Sequence, residues 1–200
     1  MCGTGDQQSP IDLTKRGSWG TTRMDRQFWD YQNYPTGLDV TLQEHTIKVD
    51  FNDGVYKLRD AEGKTDLFTP LQFHVHSPSE HTINGKFFDV ELHIVHKYKD
   101  TEADLGAVLG VMFDRTAGNK RNNFIDSLDF EHATEIGANL TDVEMKNFLR
   151  DIDTDHYWAY EGSLTTPPCT EGIRWTVLSE IQHISDEQLD QLTQYFSDDM

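Results

Sequence analysis

Positive charge is scarce in this chain. Seventeen lysines and arginines stand against 35 aspartates and glutamates, a formal net charge of -18 at pH 7. No face of such a molecule can neutralise a run of phosphates, so nucleic acid is excluded as a partner. An anionic membrane surface would repel it as well. Long apolar runs are also missing: no stretch of about 18 apolar residues exists, so there is no membrane-spanning helix. Cysteine is nearly absent, with only Cys2 and Cys169, which leaves too few thiolates for the closed ligand sets typical of structural zinc. The zinc-protease signature H-E-x-x-H does not occur. No repeat and no low-complexity linker divides the chain. The opening MCGTGDQQSP carries no signal peptide and reads as the start of a mature domain.

What remains is the composition of a folded protein. The chain has 200 residues, 36% of them hydrophobic and 11% aromatic, enough for one domain with a substantial core. The acidity has two readings. One is plain solubility; the other is adaptation to high salt, where a carboxylate surface stays hydrated while its self-repulsion is screened. The cysteines also have two readings. Paired, they would close a very long ring worth about 3–5 kcal/mol in the chain-entropy model and imply an oxidising compartment. Unpaired, they are two buried thiols. Asn139-Leu140-Thr141 is a glycosylation sequon pointing weakly to the same compartment.

Along the chain, residues 1–36 are glycine-rich and aperiodic, reading as loops with one short strand. Leu38 to Phe51 alternates like two half-buried strands, and Val55 to Arg59 like another. Ala107 to Phe113 is a continuous apolar run, fitting a strand buried on both faces. A charged connector, Arg115 to Asn123, leads to a short helix near Phe124 to Leu128. Thr141 and Glu144 form a capping box for a helix, with Leu140 and Met145 placed as a hydrophobic staple. Ser185 and Gln188 form a second box for a helix running to Phe196. Tyr160 to Leu178 reads as a loop with two prolines leading into a strand. The expected class is β-dominated α+β, a single domain over residues 1–200.

Chemistry concentrates between Leu71 and Lys97, LQFHVHSPSEHTINGKFFDVELHIVHK. Side chains alternate along a strand, so Gln72, His74 and His76 share one face. On the second run Asp89, Glu91, His93 and Val95 share a face, and Asn84-Gly85 between the runs favours a tight hairpin. Antiparallel pairing then converges His74, His76 and His93. A lone histidine on a strand is ordinarily a satisfied polar residue, and a His-x-His pair alone is weak. Three converging imidazoles with one position open are the ligand set of a catalytic zinc. Gln72 and Glu91 are placed to accept the remaining imidazole N–H groups and fix the tautomers.

The motifs QSPIDL at 8–13, QFHVH at 72–76, SEHTINGK at 79–86, ELHIVH at 91–96, AVLGV at 107–111 and GSLTTPPCTE at 162–171 carry a resemblance. In this order and spacing, the chain resembles the α-class carbonic anhydrases along most of its length. The resemblance implies a central twisted, largely antiparallel mixed β-sheet with a few short helices, and Zn2+ held by His74, His76 and His93. It implies reversible hydration of carbon dioxide to bicarbonate and a proton by zinc-bound hydroxide. Thr165 looks like the gatekeeper, its hydroxyl donating to Glu80, with Thr166 on the polar side of the cleft. Val95, Val108, Leu164, Ile173 and Trp175 match the apolar wall for carbon dioxide; ordinary core packing is the other reading of these residues. His45 matches the proton shuttle, although the residues before it depart from the family's usual pair. His81 is expected to be a buried structural histidine bonded to Glu91 or Tyr160, and His96 to face away from the metal. Cys2 and Cys169 fall where secreted members carry a disulfide, which implies an extracellular, periplasmic or lumenal protein.

The family's N-terminal aromatic segment and its C-terminal strand segment find no counterpart in this sequence, and three explanations stand open: a shortened sequence, a piece supplied by another chain, or a minimal member. A bare sheet edge would favour a homodimer. The competing function is a catalytically silent carbonic-anhydrase-like binding or adhesion module. Such proteins typically lose zinc histidines, and all three are present here.

Overall fold

The computed structural model describes residues 5–14, 27–32, 38–43, 46–59, 63–99, 105–129, 139–140 and 143–197. Within them the strands are β1 (Asp12–Leu13), β2 (Gln27–Tyr31), β3 (Leu38–Gln43), β4 (Thr46–Asp50), β5 (Gly54–Arg59), β6 (Thr65–His76), β7 (Thr82–Ile83), β8 (Val90–Tyr98), β9 (Leu105–Asp114), β10 (Asn139–Leu140), β11 (Tyr157–Ser163), β12 (Glu171–Leu178) and β13 (Gln182–His183). The helices are α1 (Asn123–Ser127), α2 (Met145–Arg150) and α3 (Asp186–Ser197). One large sheet runs β10-β3-β4-β6-β8-β9-β12-β11, with β5 also on β6, β2 on β5 and β13 on β9. Its pairings are antiparallel except where β12 and β13 run parallel to β9. The β-dominated mixed architecture expected from the pattern is the one observed.

Alternation along the central strands divides the sheet into two faces. Val90, Leu92 and Ile94 of β8 and Ala107, Leu109, Val111 and Phe113 of β9 enter the larger core, together with Phe73 and Val75 of β6 and the buried side chains of α1 and α2. The intervening residues point the other way, where Val95, Val108, Met112, Ile173, Trp175 and Val177 form a second apolar cluster. A period of two thus puts one apolar core behind the sheet and a second, smaller apolar cluster in front of it.

Three local readings need correction. Asn84 and Gly85 do take the left-handed conformations of a tight turn, with φ of 52° and 76°, but the turn joins only Ile83 and Lys86. β6 and β8 are instead connected by residues 77–89, in which β7 pairs parallel with β1. The second concerns α2, which begins at Met145 with Glu144 in the cap position and no side-chain cap hydrogen bond. Thr141 lies outside the described residues. The Ser185–Gln188 box forms as expected: Gln188 N–H donates to Ser185 Oγ at 3.2 Å and Ser185 N–H to Gln188 Oε1 at 3.3 Å. Residues 1–36 hold two described strands, β1 and β2, rather than one.

Behind the sheet His96 is fully buried. Its Nδ1 donates to Ala107 O at 3.3 Å, and Nε2 accepts from the Tyr31 hydroxyl at 2.6 Å. The Tyr56 ring stacks on it at 4.7 Å. Burial drives its pKa down to about 3, against the weaker pull of the Ala107 carbonyl. The unfolded chain takes up this proton near pH 6.5 and the native state refuses it. Stability therefore falls as pH drops from about 6.5 towards 3, by up to about 1.4 kcal/mol per pH unit from this residue. His96→Phe should flatten the acid side of the stability curve; urea unfolding between pH 7 and 4 reads the slope, and an unchanged slope would remove His96 from the account.

Candidate metal centre

His74 and His76 leave the front face of β6, and His93 the front face of the paired β8, with His74 directly opposite His93 in the register. The ligating atoms of the three all lie within 4.8 Å of one another. Gly110 of β9 sits opposite His93, where an added Cβ would come within 3.3 Å of Glu91 Oε1. The small residue leaves room for the carboxylate below the ring.

Two of the three imidazoles, His74 and His93, have a neighbour that can orient them. His74 Nδ1 donates to Gln72 Oε1 at 2.9 Å, which leaves Nε2 with its lone pair. His93 Nε2 lies 2.9 Å from Glu91 Oε1, an ion-pair distance although the ring N–H is not aligned for a hydrogen bond. The carboxylate draws the proton to that nitrogen and leaves Nδ1 to face His74 Nε2 at 3.3 Å. Two lone pairs facing each other repel unless a cation lies between them. Nitrogens about 2.0 Å from a tetrahedral zinc are separated by about 3.3 Å. His76 Nε2 is buried and has no hydrogen-bond partner, as has Glu80 Oε2, 3.5 Å from it and 3.8 Å from His93 Nδ1. Orphaned buried polar atoms of this kind normally have a partner. The residues therefore fit zinc.

Burial and the neighbouring His93 push the pKa of His76 down to about 3. Burial, with His93 and His76, holds His74 well below the usual imidazole range. Both rings are neutral at pH 7, the form a metal requires. Glu91 is fully buried. Burial alone would raise its pKa, but the neighbouring His93 imidazole and the hydrogen bond from His81 outweigh it and hold the carboxyl well below the usual carboxylate range. A second close triple, His81, Glu91 and His93, is accounted for by this network: His81 Nδ1 donates to Glu91 Oε1 at 2.7 Å, and its Nε2 accepts from the Tyr160 hydroxyl at 2.6 Å.

The remaining expected site residues fall as follows. Val95, Val108, Ile173 and Trp175 are buried in the front cluster with half-buried Leu164 against it, and the Trp175 ring centre is 4.9 Å from that of His93. Trp175 Nε1 donates to Ser163 O at 2.9 Å. Thr165 is half-buried and Thr166 exposed on the loop between β11 and β12, closed by Leu164 N–H to Thr170 O at 3.0 Å and Cys169 N–H to Thr166 O at 2.9 Å. No hydrogen bond joins Thr165 to Glu80 among the described residues, and Glu80 Oε2 has no hydrogen-bond partner. Instead the Glu80 backbone N–H donates to Glu91 Oε2 at 2.9 Å. Cys169 is buried, and no described cysteine is a free thiol. His45 and Cys2 lie outside the described residues. Sequence reasoning gave no role to Ser9, Ser163 or Gly110, although each falls inside a motif already noted.

The profile of the eukaryotic-type carbonic anhydrase family matches residues 1–200. Alpha carbonic anhydrase 4 of Arabidopsis thaliana is 36% identical over 199 residues, covering 99% of this chain and 70% of its own. A carbonic anhydrase of Nostoc sp. is 34% identical, over 98% of this chain and 71% of its own. Among solved structures, a hyperthermostable carbonic anhydrase from an active hydrothermal vent chimney superposes with a TM-score of 0.76 at 33% identity, covering 96% of this chain and 80% of that one. The chain belongs to the eukaryotic-type carbonic anhydrase family.

Proposed function

We propose that this chain catalyses the reversible hydration of carbon dioxide to bicarbonate, with zinc held by Nε2 of His74, Nε2 of His76 and Nδ1 of His93. The observation that carries the reading is the convergence of three imidazoles whose ligating nitrogens lie within 4.8 Å of one another, with His74 Nε2 and His93 Nδ1 3.3 Å apart. Zinc in such a site acts as a Lewis acid that lowers the pKa of bound water to about 7, supplying a nucleophile at neutral pH.

The protein's own residues do the rest. Gln72 and Glu91 fix the ligand tautomers. Val95, Val108, Leu164, Ile173 and Trp175 form the apolar wall that an apolar substrate needs beside a polar centre. Thr165 and Glu80 orient the attacking group, their hydroxyl–carboxylate bond forming when the cleft is loaded, and Thr166 faces the polar side. His45 passes the released proton to buffer. His45→Ala should slow turnover in dilute buffer, with partial recovery on adding imidazole; an unchanged rate would remove the shuttle.

The chain works as one domain, since the two faces of a single sheet supply core and site. A homodimer would use the free side of β11, which pairs only with β12 among the described residues. The buried Cys169 pairs with Cys2, restraining the Thr165 loop in an oxidising compartment, and the formal net charge of -18 suits high salt. The test of the activity is zinc content together with carbon dioxide hydration followed by stopped flow. One zinc per chain with turnover abolished by chelation is expected; zinc-loaded protein without turnover would favour the silent binding module.

A further inference from the structure

The front cluster contains a hydrogen-bond chain that begins at the metal centre and ends in a segment remote in sequence. Glu91, an ionised carboxylate, is acceptor-only, so His81 Nδ1 carries the proton in their 2.7 Å bond. His81 Nε2 must then accept from the Tyr160 hydroxyl at 2.6 Å. With its proton committed, the Tyr160 oxygen accepts from the Ser9 hydroxyl at 2.9 Å. The Ser9 oxygen accepts from the Ser163 N–H at 3.1 Å, and Ser9 N–H returns a bond to Ser163 Oγ at 2.9 Å. Every donor in the series points towards Glu91. The direction is set at one end by the carboxylate and at the other by a backbone N–H that cannot reverse.

The chain is also sterically fixed. A Cβ at Gly162 would collide with Ser9 Oγ, so the glycine gives the serine its place beside β11. The Tyr160 ring stacks on Trp175 at 6.2 Å and 7°. Trp175 in turn is tied to Ser163 O, which closes the circuit around Ser9. Two neighbouring contacts serve a different purpose: Gln8 Nε2 donates to Glu171 Oε1 at 2.9 Å and to Cys169 O at 3.4 Å. They hold the same segment to the protein without entering the hydrogen-bond chain.

We propose that Ser9 is a positioning residue for the metal centre, acting on His93 through Tyr160, His81 and Glu91. Removing its hydroxyl frees the Tyr160 proton to turn away from His81. The His81 ring then loses its fixed tautomer, and Glu91 loses the partner that orients it beneath His93. The proposal rests on His93 holding zinc.

The test measures zinc affinity by competition with a chromophoric chelator, beside thermal unfolding of the metal-free protein, for the wild type, Ser9→Ala, Tyr160→Phe, the double variant and Gln8→Ala. Partners immediately behind a ligand are worth about 10- to 100-fold in affinity. A group further out should give less, about three- to tenfold for either single variant. The double variant should bind no more weakly than the weaker single one, because both cut the same chain. Gln8→Ala should lower thermal stability and leave zinc affinity within about twofold of the wild type. Additive losses, or an affinity loss in Gln8→Ala equal to that in Ser9→Ala, would make Ser9 a structural tether only and overturn the proposal. If Ser9→Ala does not fold, Tyr160→Phe decides alone, and unchanged affinity there overturns the hydrogen-bond chain. A wild type that binds no zinc overturns the metal reading itself, a result distinct from unchanged affinity in the variants.

Discussion

Replacing His93 with alanine is expected to abolish carbon dioxide hydration and to weaken zinc binding by about two to four orders of magnitude. Apparent binding energies for zinc held by protein side chains run to about 10–16 kcal/mol in structural sites. Losing one of three ligands should therefore cost roughly a third, about 3–5 kcal/mol, and each 1.4 kcal/mol is tenfold. The same change also strips Glu91 of the imidazole 2.9 Å away, leaving a fully buried carboxylate with less to compensate it. Metal-free His93→Ala should thus be less stable than the metal-free wild type, even with no metal present. Zinc content by atomic emission and stopped-flow hydration test the first part. Full zinc occupancy in the variant would contradict the ligand assignment.

The second large effect is expected at Glu91. Its Oε2 accepts the backbone N–H groups of Glu80 and His81, each at 2.9 Å, and its Oε1 accepts His81 Nδ1 at 2.7 Å. Glu91→Gln keeps the volume but turns one acceptor into a donor. That NH2 must face either the two backbone N–H groups or the two imidazoles, and both directions set donor against donor. Breaking a buried, hydrogen-bonded charge network in this way costs about 3–5 kcal/mol, and zinc affinity should fall about 10- to 100-fold. There is also a pH signature. The carboxyl's folded pKa is depressed, so the wild type holds this stability above the unfolded carboxyl's ordinary value and loses it as pH falls towards the folded one. Glu91→Gln should lose that part of the acid dependence. Denaturant unfolding at pH 7 and pH 4 measures both; an equal stability loss at the two pH values would show that the charge contributes nothing.

Much of this site could be read from the chain because it is written in strand parity. Gln72, His74 and His76 alternate on β6, and Glu91, His93 and Val95 on β8. A period of two needs no knowledge of the rest of the fold to place them on one face. The convergence of the three histidines followed once the two strands were taken as neighbours, but the register that sets His74 opposite His93 did not. The connection between them was misread, because Asn84-Gly85 marks a tight turn without saying which strands it joins. Here it closes the small Ile83–Lys86 bridge. The α2 cap was misread for a related reason: a Thr-x-x-Glu pattern is a local preference, and the chain enters that helix at Met145 instead. Ser9 was out of reach for another reason. Its partners, Tyr160 and Ser163, are about 150 residues away in sequence, and no local pattern reports a contact of that range. Gly110 was hidden because a glycine in an apolar run reads as a buried strand residue until its cross-strand partner is known to be His93.

The arrangement around Glu80 bears most directly on catalysis. Its Oε2 stands 3.5 Å from His76 Nε2 and 3.8 Å from His93 Nδ1, close enough to compete for a metal held by those atoms. An enzyme needs that coordination position for water; a closed binding site would fill it with protein. X-ray diffraction of the zinc-loaded protein at the zinc absorption edge separates the two. The account predicts a single anomalous peak bonded to Nε2 of His74, Nε2 of His76 and Nδ1 of His93, with a solvent oxygen as the fourth ligand and Glu80 drawn back to Thr165. A peak elsewhere, or a Glu80 carboxylate oxygen bonded to the metal in place of solvent, would contradict it.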